Sequence, residues 1–292
     1  MGIGIALAGG GIRGIAHAGV LKALEENNIK VEAIGGTSAG SIVATLYAMG
    51  YKPYYIYVLF KKYAQNIINI GNASLLNGFG NLLKNKKVGF SGLNDGTMLE
   101  KMFNELAIRK KVRTVGDIKM PLVISTVDIA EAKEYIITNC APRNNFRDSL
   151  ITEIGIGKAV RASSSFPAFF CPCEYKKHIF MDGGVLDNVP VLPLKQIYSK
   201  KIIAVNFEAD PVEEDGDVMD IIMKTLDIMG NKISEKSFEQ SDLILTVPTD
   251  RAGLFDIEKL DKCYQFGYDT VIKNIDKIKS CQKWMSFLTT FL

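Results

Sequence analysis

Gly36-Thr37-Ser38-Ala39-Gly40, between an apolar run at 31–34 and an apolar stretch at 41–49, is the segment whose reading decides the fold. A G-x-S-x-G between strand and helix is the pattern of a nucleophile elbow, a sharp turn that holds a serine hydroxyl clear of the sheet. Small flanking residues are needed because larger ones would strike neighbouring backbone. The pattern also arises by chance in Gly/Ser-rich turns that merely open a helix; the strand–turn–helix context favours the elbow. The 19 residues 33–51 carry no charge, which is long enough for a membrane helix. The glycine-bounded turn inside them argues against a span.

Outward from this segment, the first 50 residues read as strand, turn, helix, strand, turn, helix. Residues 3–8 are an apolar run ending in Gly9-Gly10-Gly11, and 15–26 carry apolar residues at helical spacing. Further strands are expected at 121–129, 134–138, 178–181, 201–207 and 242–247, and helices at 98–107, 218–237 and 259–279. Strands alternating with helices predict a mainly parallel sheet covered on both faces. No repeat or long low-complexity linker interrupts the pattern. A single domain over 1–292 is therefore expected, with a motif-bearing part at about 3–195 and an extension at about 196–292.

Composition narrows the function classes. The 292 residues hold 35 Lys plus Arg against 32 Asp plus Glu, a net charge of +3. That is too near neutral for general nucleic-acid binding. Five irregularly spaced cysteines argue against a disulfide framework and for a reducing, cytoplasmic setting. No charge precedes Arg13, as a signal peptide would require, and Ala6 stands where a myristoylation signal has Ser or Thr. Residues 53–90, aromatic and then rich in Asn, Gly and Lys, read as a cap or lid over a cleft. Residues 208–220 hold seven acids and no base, and read as a solvated loop. Pro211 stands where a calcium loop before Gly216 would need a ligand.

A second glycine-rich loop, Gly9-Gly10-Gly11-Ile12-Arg13-Gly14, leaves the first strand and opens a helix. It fits the dinucleotide fingerprint, which also demands an acid about 20 residues on. Ile34, Gly35 and Gly36 occupy that place. The other use is an oxyanion hole of bare amides, coherent with a serine at the adjacent strand end.

The serine needs a base. Only two histidines exist, and none follows His178, so a Ser–acid–His order is excluded. His17 falls inside the first helix, as a core or surface imidazole; His178 ends Lys176-Lys177-His178 and is expected in solvent. Asp182, in Met181-Asp182-Gly183-Gly184 after a short apolar strand, remains. Burial would raise its pKa into the range of a useful base, although a plain turn is the alternative.

Together these features resemble the patatin-like phospholipase family. The matching residues, in the family's order, are the loop Gly9 to Gly14, the serine motif Gly36 to Gly40 and Asp182-Gly183-Gly184. Arg161-Ala162-Ser163-Ser164-Ser165-Phe166-Pro167, with Phe170 and Pro172, and Asp187-Asn188-Val189-Pro190 also look like family segments. The resemblance covers roughly 3–195. It implies a three-layer α/β/α fold and a lipid acyl hydrolase with no cofactor or metal. Ser38 would attack the ester while Asp182 takes its proton, and amides of Gly10, Gly11, Ile12 and Arg13 would hold the oxyanion. The partner would be a lipid or membrane-surface substrate met transiently. Cys171 and Cys173 read as buried apolar side chains, without metal-ligand partners.

Some alternatives stay open. The glycine loop could serve a nucleotide-binding module, or the cleft a catalytically silent lipid-binding protein. Phe166, Phe169 and Phe170 could line an acyl channel or simply fill the core. Arg13 could meet a phosphate or brace its own loop. Trp284, Phe287 and Phe291, with Lys279 and Lys283 beside them, could lie at a membrane interface or fold back onto the domain.

Overall fold

The computed structural model describes residues 2–65, 94–141, 149–167, 169–208, 218–253 and 256–283. Its strands are β1 (Ile3–Leu7), β2 (Val31–Thr37), β3 (Leu122–Asp128), β4 (Lys133–Thr138), β5 (Leu150–Ile151), β6 (Cys173–Tyr175), β7 (His178–Asp182), β8 (Ile202–Phe207) and β9 (Leu243–Val247). The helices are α1 (Ala16–Glu26), α2 (Ala39–Ala48), α3 (residues 53–65), α4 (Thr97–Arg109), α5 (Ile156–Ser163), α6 (Val191–Ile197), α7 (Val218–Ile233), α8 (Glu235–Gln240), α9 (Leu260–Lys273) and α10 (Ile275–Lys283). All the strands expected from the sequence are present. β2 runs further than expected, through Gly35, Gly36 and Thr37, so the turn shrinks to Ser38. The short β5, β6, α5 and α6 were not expected: each is too brief to show a period. The helices expected at 218–237 and 259–279 break at Ser234 and Asn274.

The sheet order is β5-β4-β3-β2-β1-β8-β9, with β7 on β3 and β6 on β7. The pairs β2–β1, β1–β8, β8–β9, β2–β3 and β4–β5 are parallel. β3–β4, β3–β7 and β6–β7 are antiparallel. β1 is buried along its whole length, as a strand covered on both faces must be. The two covers follow from the pleat. Gly4 and Gly35 point at Tyr198 and Pro190, which flank α6, whereas Gly36 points at the backbone of α2. α1, α2, α5 and α9 pack on the α2 face, and α6 with α8 on the other. This is a three-layer α/β/α sandwich.

Close approach of backbones replaces side-chain packing at two places. Gly19 of α1 faces the Tyr264 carbonyl of α9, and Gly267 of α9 faces the Ala16 carbonyl of α1, so the helices cross in direct contact. Gly40 of α2 meets the carbonyls of Leu7 and Ala8, which seats the helix start against the end of β1. Among the described residues no helix is long and apolar enough to cross a membrane. Most of the expected cap at 53–90, most of the acidic loop at 208–220, and the tail bearing Trp284, Phe287 and Phe291 lie outside the described residues.

Gly40→Ala should destabilise the fold by roughly 3 kcal/mol, because its Cβ would be driven into the Leu7 carbonyl. Gly253→Ala, with nothing near its Cβ, should stay within about 1 kcal/mol of the parent. Urea titration of the two variants compares them directly.

Candidate active site

The site begins with a collision of strands. β2 runs along one edge of β3 and ends with Thr37 opposite Ser125; β7 comes the other way along the same edge and ends with Asp182 opposite Thr126. The two C-terminal ends meet head to head. β2 cannot continue, and Ser38 turns out of the sheet with φ 52° and ψ −123° before α2 begins at Ala39. A non-glycine residue in that region stores roughly 1–3 kcal/mol of strain, sustained by the surrounding contacts. The contacts are specific. Ser38 N–H donates to Ser163 Oγ at 3.0 Å, and the Ser38 carbonyl accepts from Ser41 Oγ at 2.7 Å and from Ser164 Oγ at 3.3 Å. Thr37 Oγ1 donates to the Asp187 carbonyl at 2.9 Å.

Asp182 is buried. Its Oδ1 accepts the Gly184 amide at 2.8 Å, while Oδ2 is enclosed without a hydrogen-bond partner. Burial raises its pKa from 3.8 to about 6, against the lowering influence of the Ser38 hydroxyl and the Gly184 amide. The Ser38 hydroxyl thus stands close enough to act on the carboxyl.

The glycine loop faces the same space. After β1, residues Gly11–Ile15 form a 3-10 turn, and Arg13 N–H closes it on the Gly10 carbonyl at 3.2 Å. The amides of Gly10, Gly11 and Ile12 precede that bond, as the first amides of a helical turn do. All three residues line one cavity with Ser38, Ala39 and Asp182. The Arg13 amide, expected from the sequence in the same role, is spent inside the turn. Its guanidinium is spent too: Nε donates to the Gly10 carbonyl at 3.1 Å, and Nη2 to Asp227 Oδ1 of α7 at 2.7 Å. Of the two uses open for Arg13, the structure holds the bracing one.

Gly9, with the Ser38 Cβ beside it, donates its N–H to both the carbonyl and Oδ1 of Asn188, each at 3.1 Å. Asn188 therefore ties the glycine loop to the loop that carries Asp182. Gly183 packs on the Ser125 carbonyl, and Gly14 on Ala39. Phe166 and Phe170 line the cavity with Ile42, Phe60 and Tyr63; Phe169 packs against the core beside Phe170 instead. Asn188, Ser163 and Ser164 hold this candidate site together, and the sequence reading gave them no individual role. All three lie in segments it had already singled out, where polar side chains among small residues were the available signal.

Two other expectations change. His178 is not solvated: its side chain is 11% exposed, and Nδ1 sits 2.6 Å from Asp128 Oδ2. The Tyr135 and Phe180 rings flank it. Its Nδ1, Asp128 and Glu131 come within 4.8 Å of one another, but hydrogen bonds occupy the cluster, His178 on Asp128 and Tyr135 on Glu131. Cys173 is buried, whereas Cys171 is only half-buried. His17 is fully buried, with Nε2 2.8 Å from the Ala8 carbonyl.

The patatin-like phospholipase profile matches residues 5–195, the stretch that carries every residue of this site except the α7 wall. The chain belongs to the patatin-like phospholipase family. Among curated relatives, lysophospholipase NTE1 of Meyerozyma guilliermondii is 31% identical over 207 residues, 70% of this chain and 12% of its own. That of Eremothecium gossypii is 33% identical over 205 residues, again 12% of its own length. The chain thus spans about one eighth of these relatives. Among solved structures, ExoU in the ExoU–SpcU complex of the Pseudomonas aeruginosa type III secretion system aligns with TM-score 0.51 at 19% identity, over 95% of this chain and 52% of that one. VipD of Legionella pneumophila aligns with TM-score 0.50 at 14% identity, over 94% and 67%. These likenesses extend the shared α/β fold beyond the profile match, across nearly the whole chain.

The buried carboxyl has a stability cost with a definite sign. Between about pH 4 and about pH 6 the folded protein keeps a proton that the unfolded chain has lost, so stability falls as pH rises through that window. Above it the cost levels off near about 3 kcal/mol. Asp182→Asn should therefore melt several degrees above the parent at pH 7 and alongside it at pH 4, by calorimetry at both pH values.

Proposed function

We propose that this family member is a serine lipid acyl hydrolase, cleaving carboxylic esters of phospholipids by a Ser38–Asp182 dyad through an acyl-enzyme. The observation that carries the reading is the junction of β2 and β7. It puts a strained serine beside a buried carboxyl titrating near 6, in an apolar cavity bordered by the amides of Gly10, Gly11 and Ile12.

Asp182 removes the Ser38 hydroxyl proton as Oγ bonds to the ester carbonyl carbon. The carbonyl oxygen becomes an oxyanion facing the loop amides, which are fixed before the charge develops. Collapse breaks the bond to the leaving alcohol, which takes the proton from Asp182. Water then attacks the acyl-serine, giving a proton to Asp182; collapse breaks the bond between the acyl carbon and Ser38 Oγ, which takes that proton back from Asp182 as the carboxylic acid leaves. The likeness to proteins named lysophospholipases supports a single-chain phospholipid as substrate. Ile42, Phe60, Tyr63, Phe166 and Phe170 offer the acyl chain an apolar lining.

The mouth of the cavity suits a lipid aggregate. Met229 of α7 lines the cavity and is 49% exposed; Ile228 beside it is 56% exposed, and Leu186, next to the cavity-lining Val185, 42%. We infer that this rim touches the lipid surface.

A fluorophosphonate should label Ser38, located by peptide mass spectrometry, and Ser38→Ala should lose both labelling and at least ~10³-fold in ester turnover. Turnover should rise with pH through about 6 as Asp182 loses its proton. An active, unlabelled Ser38→Ala protein would falsify the assignment. For the rim, Ile228→Asp should weaken vesicle binding several-fold while leaving kcat/KM on a short soluble ester within about twofold. Equal vesicle binding by the two proteins would remove the rim from the mechanism.

A further inference from the structure

α3 has two apolar faces where a surface helix needs one. Ile56, Phe60, Tyr63 and Ala64 are buried, and the last three line the cavity. On the other side Tyr54, Tyr55 and Val58 stay 62%, 40% and 41% exposed. Their spacing sets them on one stripe, which exposed Lys62 continues four residues beyond Val58. The fold does not need this stripe, because other residues already fix the helix. Tyr57 and Lys61 both donate to Asp261 of α9, at 2.7 and 2.6 Å. Tyr51, just before the helix, donates to the Leu106 carbonyl of α4 at 2.8 Å.

Cations surround the stripe. Tyr55 stacks on Tyr51 with ring centroids 5.5 Å apart. Lys110, at the end of α4, lies 4.5 Å over the Tyr51 ring and donates to the Gly50 carbonyl at 2.8 Å. That contact brings the exposed run Arg109-Lys110-Lys111 alongside the rings, with Ile108 of the same turn 69% exposed. Lys52 meets Glu25 at 3.5 Å, and Lys61 is taken by Asp261. Lys62, Arg109, Lys110 and Lys111 form no ion pair among the described residues. The sequence has no acid between Glu32 and Asp95, and Glu105 is the one acid in the second half of α4.

We infer that the outer face of α3, together with the basic end of α4, docks on an anionic phospholipid surface. Each Lys or Arg held near such a surface strengthens binding by about fivefold. Tyrosine suits the depth where head groups meet acyl chains, because its ring is apolar and its hydroxyl is wet. An apolar protein partner would cover the rings but leave the four cations unpaired, whereas an anionic bilayer satisfies both. The α7 rim differs in kind: Ile228, Met229 and Leu186 are uncharged and cannot tell one head-group charge from another. Because the inner face of α3 lines the cavity, docking sets the lipid source one helix away from Ser38. That consequence for turnover rests on the hydrolase reading; the binding does not.

The test uses the full chain carrying Ser38→Ala, so that the lipid stays intact. Its binding is measured by co-sedimentation with phosphatidylcholine vesicles, with and without about 30% phosphatidylglycerol. The anionic vesicles should bind at least ~10-fold more tightly at low salt, and added salt should screen that preference away. Lys62→Glu with Arg109→Glu should abolish the preference and leave binding to neutral vesicles within about twofold. Lys62→Gln with Arg109→Gln, a milder change, should move it the same way if the first pair fails to fold. Tyr54→Ser with Val58→Ser should weaken binding to the anionic vesicles several-fold. Equal binding of both compositions, or a preference that survives loss of the two cations, overturns the inference. So does a dimer that the charge substitutions dissolve, which would give the face to a second copy of the chain. If Ser38→Ala still hydrolyses esters while the anionic preference behaves as expected, the docking face stands and the hydrolase reading falls.

Discussion

The edge of β3 is asked to hold two strands end to end, and the candidate active site is what forms where they meet. Parallel β2 takes residues up to Ser125, antiparallel β7 takes residues from Thr126 onward, and no residue of the edge is left between them. Each incoming strand is stopped by the other. The last residue of one is followed by Ser38 and the last of the other is Asp182. Two groups 144 positions apart in sequence are thus brought together by pairing register, not by a flexible loop. The site also lies outside the carboxyl end of β1, between β2 and β8, where the sheet's connections diverge and leave a crevice.

The residues that pack around the elbow backbone have to be small or polar because backbones converge there. The elbow needs bare glycine at Gly36 and Gly40, since a Cβ on either would overlap carbonyl groups of α2 or β1. The space so saved is filled by hydroxyls: Ser163, Ser164 and Ser41 bond the main chain of Ser38. A backbone at φ 52° is held by these bonds and would relax without them. Arg13 performs the analogous service for the glycine loop, joining the Gly10 carbonyl to Asp227 on the cavity wall.

What was legible in the sequence was whatever is local. The elbow, the glycine loop and Asp182-Gly183-Gly184 each announce themselves within a few residues, and the buried strands are long enough to show as apolar runs. The register that joins them is not local, and it stayed hidden. Nothing in 178–182 says that this strand runs antiparallel to β3. Nothing in Lys176-Lys177-His178 says that Asp128 will take the histidine out of solvent. The Arg13 amide looked available because a run of glycines suggests bare amides throughout, whereas the turn closes at its third residue and consumes that one.

The chemistry follows from which titratable groups burial acts on, and in which direction. Desolvation always disfavours the charged form, so it raises an acid and lowers a base. Buried His17 is pushed down to about 4 and stays neutral, with one nitrogen committed to the Ala8 carbonyl. It has little basicity left to give to a serine and no path to one. The same force acting on Asp182 lifts it to about 6, close to where a histidine would ordinarily sit. In the proposed dyad a buried carboxylate would do what imidazole does in a triad, and a third member would be unnecessary. A triad needs its acid to orient a ring that can rotate. The base proposed here is a two-oxygen group already held by the Gly184 amide on one oxygen, with the other left for the proton.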